Sequence, residues 1–145
     1  MKIVDANVLL YAVNSDAMHH EKARAWLDHA LSGNDTVGFS WVALLAFVRI
    51  SSRAGIFSDP LSVEDAMRQV TDWLAAPGAV VAQPGPGHAE HLARLLHHLG
   101  TGGNLVSDAH LAALAVEHRA QIVSYDNDFA RFDGVRWRRP DDLLA

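Results

Sequence analysis

Four aspartates lie where an α/β protein would carry its reactive groups, just beyond short apolar segments. Asp5 ends the apolar segment at the start of the chain. Asp126 and Asp128 follow a second apolar segment, and Asp108 begins a helical segment after a glycine-rich loop. In an open parallel sheet, ligands bind beyond the carboxyl ends of the strands. We therefore expect these sequence-distant acids to meet in one crevice.

Carboxylates held that close repel one another unless a cation lies between them. A set of oxygen donors suits a hard divalent ion such as Mg²⁺ or Mn²⁺. Such an ion neutralises a phosphodiester and lowers the pKa of a bound water, and a pair of ions stabilises both the attacking and the leaving oxygen. The aspartates therefore indicate metal-dependent hydrolysis of a phosphodiester.

Each aspartate taken alone has competing explanations. Asp108 can be an acid favoured by the dipole of a helix N-terminus, and residues 126–128 can form a polar turn. Asp5 has no such local explanation. A phosphoryl-accepting domain or an aspartate-nucleophile phosphatase also carries an aspartate after a strand. Both need a lysine late in the chain, whereas the lysines here are Lys2 and Lys22.

The elements that must position these acids alternate along the chain. Short apolar segments alternate with segments of helical period, which is typical of a parallel sheet with crossover helices. The predicted fold class is α/β, a three-layer α/β/α sandwich with a mainly parallel sheet of about four or five strands. The strands are predicted at residues 2–5, 36–40, 79–82, 121–124 and 135–137, and the helices at residues 19–31, 41–53, 61–75, 88–99 and 108–118, with Ser62 and Ser107 as helix caps.

The composition fits one domain and excludes several kinds of site. The 145 residues include 17 acids against 12 lysines and arginines, which gives a net charge of -5. Contact with nucleic acid must therefore be local or metal-mediated. The absence of cysteine excludes disulfides and thiolate metal sites. No apolar segment approaches the ~20 residues of a membrane span and no signal peptide is expected, which favours a cytoplasmic protein without membrane contact.

Three segments carry the four aspartates in a specific combination. They are VDAN at residues 4–7, NLVSDAHLAALA at residues 104–115 and IVSYDNDF at residues 122–129. Together with FARFDGVRW at residues 129–137 and the pair His20-Glu21, they resemble the PIN-domain ribonuclease toxins of VapBC toxin–antitoxin modules. Because the resemblance spans nearly the whole chain, residues 1–145 are expected to form a single PIN-like domain.

The resemblance implies an activity, a cofactor and partners. It implies a single-strand-specific RNA endonuclease that uses Mg²⁺ or Mn²⁺, is inhibited by a helix of a cognate VapB-like antitoxin, and forms a homodimer. By the resemblance, Asp5, Asp108 and Asp126 would hold the metal. Asp128 would assist catalysis or hold a second ion.

Two polar residues and three arginines complete the candidate site. The resemblance gives Asn7 and Ser124 the role of orienting the metal ligands, and an amide or hydroxyl can do so by hydrogen bonding to a carboxylate. Arg136 and Arg138 flank a tryptophan in a basic cluster that could contact RNA phosphates. Arg49 is a further candidate for phosphate contact, although each arginine can equally belong to a solvated surface.

The helix predicted at residues 41–53 departs from the family pattern. Many PIN domains carry a glutamate there, and Ala46 occupies the position that aligns with it. Asp128 can compensate, or the site holds one ion tightly and recruits another only with RNA. The alternative function is therefore a catalytically weak or inactive PIN-like protein that binds RNA or a partner.

An antitoxin helix needs an apolar groove on this protein. The candidate groove combines Leu9, Leu10 and Tyr11 with Phe47 and Phe57. The same residues can equally form part of the core, and the sequence pattern does not separate the two.

Overall fold

Five parallel strands form the central layer of the protein in the computed structural model, which describes residues 1–144. The strands are β1 (Lys2–Val4), β2 (Val37–Phe39), β3 (Ala79–Val81), β4 (Gln121–Val123) and β5 (Trp137–Arg138). Their order across the sheet is β3-β2-β1-β4-β5, so the chain first builds outwards from one side of β1 and later returns to the other side. Such a change of direction opens a crevice at the carboxyl ends of the strands.

Seven α-helices lie within residues 1–144, and six of them connect successive strands. They are α1 (Ala6–Val13), α2 (His20–His29), α3 (Trp41–Ser51), α4 (Val63–Leu74), α5 (His88–Leu99), α6 (Val106–His118) and α7 (Pro140–Leu143). Short 3-10 helices lie at Gly103–Leu105 and Asn127–Arg131, and a π-helical turn at Ala30–Asn34 extends α2. None of the helices in the described part of the chain combines the length and hydrophobicity needed to span a membrane.

Helices cover both faces of the sheet, so the predicted three-layer α/β/α sandwich is confirmed. One core lies between the sheet and helices α1 to α4, and it includes Val4 and Val123. The other core lies between the sheet and helices α5 and α6, and it includes Ile3 and Ile122. Successive residues of β1 and β4 therefore point to opposite faces, as strand geometry requires. Burial on both faces explains why the last two residues of each strand are apolar, whereas the partly exposed first residues, Lys2 and Gln121, are polar.

The beginnings of two helices differ from the prediction. The sequence predicts no helix at residues 6–13, yet α1 follows β1 directly, and the side chain of Asp5 caps it by accepting a hydrogen bond from the amide of Ala6. The prediction that Ser107 caps a helix is wrong, because α6 begins at Val106, one residue earlier. Ser62 does cap α4 and accepts a hydrogen bond from a backbone amide of its first turn.

The C-terminal end of the chain also differs from the prediction. The last strand lies at Trp137–Arg138, because these residues and not 135–136 pair with the end of β4. The sequence predicts no helix after it, but Pro140 begins the short helix α7, where the fixed φ of proline suits the first helical position. Ala145, the last residue of the predicted domain, lies outside the described residues.

Candidate metal centre

Three aspartates from distant parts of the chain bring their carboxylates together at the end of the sheet. Asp108 lies in the first turn of α6. Asp126 lies just past β4, and Asp128 follows it in the short 3-10 helix. One carboxylate oxygen of each lies within 4.8 Å of the others, and all three residues are half-buried. This spacing allows the three carboxylates to share one cation, and no other group of three acids or histidines is as closely spaced within residues 1–144.

Asp5 lies beside this group at the end of the central strand β1. Its Oδ1 accepts a hydrogen bond of 2.7 Å from the amide of Ala6, and its Oδ2 accepts one of 2.7 Å from the hydroxyl of Ser124. Burial raises the pKa of the Asp5 carboxyl, although these two hydrogen bonds oppose that change, and the charge of Asp126 raises it further. Asp5 is therefore fixed in orientation and is electrostatically coupled to the cluster.

Ser124 links the first strand to the segment of residues 125–128, which carries Asp126 and Asp128 and is called the acidic turn below. Besides donating to Asp5, its buried hydroxyl accepts hydrogen bonds from Nδ2 of Asn7 at 3.2 Å and from the amide of Asp126 at 2.9 Å. The amide oxygen of Asn7 accepts a hydrogen bond of 3.2 Å from the backbone of Tyr125. Ser124 and Asn7, which were expected to orient the metal ligands, thus connect the end of β1 with the residues after β4.

The pKa of Asp108 is raised to about 7. Burial of the carboxyl is the largest cause, and the negative charges of Asp5, Asp126 and Asp128 add to it. A hydrogen bond from the protonated carboxyl to Asp126 adds to the increase. In the absence of a cation, the site therefore retains a proton close to neutral pH. A divalent cation would remove the repulsion that holds this proton.

The donor set fits a magnesium-like ion. All the clustered side chains offer carboxylate oxygens, which are the ligands that Mg²⁺ and Mn²⁺ prefer. Helix α3 contributes no acid to the cluster within the described residues, and Ala46 is a half-buried apolar residue of that helix. The carboxylates that could hold a cation are therefore those of Asp108, Asp126 and Asp128, with Asp5 beside them.

The three arginines proposed as RNA contacts are all exposed, but they differ in position. The carbonyl of Arg138 accepts a hydrogen bond of 3.0 Å from the amide of Ser124, so Arg138 lies at the carboxyl end of the sheet, beside the acids. Arg136 lies two residues farther back, where its carbonyl accepts a hydrogen bond from Ile122. Arg49 lies near the C-terminal end of α3.

Two contacts behind the acidic turn were not predicted from the sequence. The guanidinium of Arg139 donates a hydrogen bond of 3.0 Å to Oδ1 of Asn127, and the hydroxyl of Tyr125 donates one of 2.8 Å to Asp141. Burial, together with this bond to a carboxylate, raises the pKa of the Tyr125 hydroxyl. The basic run that ends at Arg139 was the available signal, but it does not indicate which arginine faces the turn.

Of the two alternatives for the candidate groove residues, core or groove, the structure favours the core for the main members. Leu9, Phe47 and Phe57 are buried, and Leu9 and Phe47 belong to the core between the sheet and α1 to α4. An open groove lies instead between α2 and α4, at the end of α1. Apolar side chains and charged side chains both line it, among them Ala12, Val13, Leu27, Leu61, Arg24 and Arg68.

Comparison with known sequences supports a nuclease. Residues 2–135 match the family model described as PIN domain. The chain is 65% identical over 144 residues to the ribonuclease VapC37 of Mycobacterium tuberculosis, and the alignment covers 99% of this chain and 100% of that protein. It is 39% identical over 140 residues to the ribonuclease VapC33 of the same species, covering 97% of this chain and 98% of that protein.

Comparison with solved structures shows the same fold at low sequence identity. VapBC2 from Rickettsia felis, bound to a DNA fragment from its promoter, aligns with a TM-score of 0.69 and 18% identity over 95% of this chain and 97% of that chain. VapC20 of Mycobacterium tuberculosis, a toxin that cleaves the sarcin-ricin loop, aligns with a TM-score of 0.68 and 19% identity over 94% of this chain and 99% of that chain.

Proposed function

Because the chain belongs to the PIN-domain family and to its VapC-type ribonuclease toxins, we propose that it hydrolyses single-stranded RNA with Mg²⁺ or Mn²⁺ held by its aspartates. The observation that carries this proposal is the group of three carboxylates whose oxygens lie within 4.8 Å of one another. In the absence of a cation, burial and the charges of its neighbours raise the pKa of Asp108, one member of this group. The proposed role is that of a toxin in a toxin–antitoxin pair, in the cytoplasm, where RNA and the partner would meet it.

In this proposal Asp108 and Asp126 hold the cation, and Asp128 completes the coordination or assists the attacking water. Asp5 is a further ligand, since Ser124 fixes the orientation of its carboxylate. When bound, Mg²⁺ or Mn²⁺ would neutralise the RNA phosphate and lower the pKa of the attacking water. No side chain of the cluster is a nucleophile in this scheme, so cleavage proceeds without a covalent intermediate.

We propose that the RNA passes over the carboxyl end of the sheet, next to the arginines of the last strand. Arg138 lies beside the acids and is exposed, so it can contact a phosphate next to the one that is cleaved. Arg136 and Arg49 would contact phosphates farther along the strand. A net charge of -5 agrees with such local contacts rather than with a broad basic surface.

Cleavage of RNA is the direct test. The purified chain, freed of any partner, is expected to cut a folded RNA with single-stranded loops in Mg²⁺ or Mn²⁺ and not in EDTA. Asp5→Asn should lower the rate about 10- to 100-fold, because it weakens the coordination without removing the cluster. Asp59→Asn, an exposed residue of the loop after α3, is the matched control and should cut at the wild-type rate.

The alternative of a binding protein without turnover rests on Ala46 in place of the family's glutamate. It predicts a different result in the same experiment. RNA that is retained in a gel-shift assay but stays intact with either ion would favour the alternative. Cleavage that is unaffected by Asp5→Asn would contradict the proposed metal site.

We propose that an antitoxin helix occupies the groove between α2 and α4. Its apolar floor and charged rim suit an amphipathic helix. We also propose a homodimer, which is supported by three exposed apolar side chains on one helix, α3. They are Trp41, Val42 and Leu45.

The groove can be tested by filling it. Gln69→Trp places a large side chain in the groove from α4 without altering a buried apolar residue. We expect the cognate antitoxin to bind the variant at least about 10-fold more weakly, because a single steric block can remove a central contact. Titration calorimetry with the wild type and with Gln83→Trp, an exposed position outside the groove, provides the comparison. Equal affinity in all three proteins would exclude the groove as the docking site.

A further inference from the structure

The acidic turn after β4 is held from two sides. Ser124, Asp126 and Asp128 are alternate residues, and each takes part in the hydrogen-bond network of the metal site or in its carboxylate cluster. The residues between them, Tyr125 and Asn127, direct their side chains to other partners. One side of the turn therefore carries the carboxylates, and the residues on the other side, Tyr125 and Asn127, can bond to the rest of the protein.

The anchors come from the last strand and the last helix. Arg139 donates a hydrogen bond of 3.0 Å to the side chain of Asn127. Asp141, in the first turn of α7, accepts a hydrogen bond of 2.8 Å from the hydroxyl of Tyr125. These two bonds thus join both intervening residues of the turn to one short segment.

This segment is itself fixed to the rest of the protein. The backbone and side chain of Asp142 bond to the backbone of Arg139, which closes the first turn of α7. Pro140 is buried, and Leu143 packs against the core between the sheet and α1 to α4. Helix α7 packs on α2. The family model ends at residue 135, so both anchoring residues lie beyond the matched region.

We propose that Arg139 and Asp141 are positioning residues that hold Asp126 and Asp128 at the separation needed to bind one divalent cation. This inference rests on the proposed metal-dependent function. When all three carboxylates are ionised, they would move apart in the absence of a cation, and a turn tethered only on the Ser124 side could follow them. Anchoring Tyr125 and Asn127 restrains that movement before the cation arrives, so less conformational entropy is lost on binding.

Binding of Mn²⁺ to the 145-residue chain without RNA is the test, measured by the electron paramagnetic resonance of free Mn²⁺. Asp141→Ala is expected to weaken binding about 3- to 10-fold, less than the loss of a group that bonds a ligand directly. Asp141→Asn keeps an oxygen that accepts the bond from Tyr125, so it should bind nearly as the wild type does. Arg94→Ala, an exposed arginine of α5, is the control for loss of a surface charge.

The bond between Arg139 and Asn127 is tested by a double-mutant cycle. Arg139→Ala and Asn127→Ala should each weaken Mn²⁺ binding about 3- to 10-fold, and the double variant should lose no more than either single variant. In the metal-free protein, amide hydrogen exchange at residues 124–131 should be faster in both variants. A loss of Mn²⁺ affinity in Arg139→Ala can be interpreted only if the variant stays folded. If its melting temperature falls by more than about 5 °C, the effect of losing this bond is measured instead by comparing Asn127→Ala with the wild type.

The possible results separate this inference from the proposed function. Wild-type Mn²⁺ affinity in Arg139→Ala and Asp141→Ala would overturn the positioning role, and so would losses that add in the double variant. Equal losses in Asp141→Asn and Asp141→Ala would also overturn it, because an effect of charge and not of the hydrogen bond would then be responsible. If the wild type itself does not bind Mn²⁺, the proposed function fails and the inference fails with it.

Discussion

Asp108→Asn is expected to make the metal-free protein more stable and to lower RNA cleavage at least about 1,000-fold, the effect of losing several kcal/mol of transition-state stabilisation. Both effects come from one carboxylate. Ionised Asp108 is repelled by Asp5, Asp126 and Asp128, whereas an asparagine amide carries no charge and can donate a hydrogen bond to Asp126 as the protonated acid does. The same change removes a proposed ligand of the cation.

The gain in stability should depend on pH in a defined direction. The pKa of Asp108 is raised from 3.8 to about 7 in the folded protein. Below about pH 4 both states are protonated, so the residue contributes nothing to the difference. Between pH 4 and 7 the unfolded chain loses its proton first, so the free energy of unfolding falls as the pH rises. The advantage of Asp108→Asn therefore grows through this range and is greatest above pH 7.

Thermal unfolding in EDTA at pH 5 and pH 8 measures this effect. Because Asp108 is half-buried and solvent screens its charge, we expect a gain of only about 1 to 2 kcal/mol at pH 8, or about 3 to 6 °C. The gain should be smaller at pH 5. In saturating Mn²⁺ the order should reverse, because only the wild type gains fully from binding. Asp133→Asn, an exposed acid outside the cluster, is the control. A destabilised Asp108→Asn at pH 8 without metal would contradict the repulsion described above.

Ser124→Ala is expected to lower the free energy of unfolding by about 2 to 4 kcal/mol and the affinity for Mn²⁺ about 10- to 100-fold. The Ser124 hydroxyl is fully buried and bonds three groups. Alanine would leave Oδ2 of Asp5, Nδ2 of Asn7 and the amide of Asp126 without this partner. The stability loss comes from unsatisfied polar groups, and the metal loss from carboxylates that are no longer oriented.

Ser51→Ala is the matched control for this prediction. Ser51 is as buried as Ser124, but its hydroxyl has no hydrogen-bond partner within residues 1–144. Removing it leaves no other group unpaired and takes away a buried hydroxyl without a partner, so the free energy of unfolding should not fall and should rise by up to about 1 kcal/mol. Urea unfolding of both variants in EDTA measures stability, and Mn²⁺ titration measures affinity. If the two variants behave alike, Ser124 serves only to fill space.

The fold was largely predictable from the sequence because its signals are local. Alternating apolar segments and helical periods predicted the fold class and the approximate positions of all five strands. They missed α1, whose eight residues follow a strand directly and carry no polar face that would separate a helix from a longer apolar segment. They missed α7 because four residues are too few to show a period.

The sequence by itself determined which residues are candidates for the metal site. Acids that follow an apolar strand, or that begin a helix after a loop, have a known place at the edge of a parallel sheet, so Asp5, Asp108, Asp126 and Asp128 could be named without coordinates. The PIN-domain motifs added Asn7 and Ser124 and the roles of the aspartates, and the family is confirmed by the match over residues 2–135.

Only the tertiary structure decided how these residues contact one another. Ser124 and Asp5 lie 119 positions apart and bond because β1 and β4 are neighbours in register. The bond from Arg139 to Asn127, and the groove between α2 and α4, likewise depend on how separate elements pack. Patterns along a chain report the local preference of each segment, whereas these contacts depend on strand order and on the packing of many side chains at once.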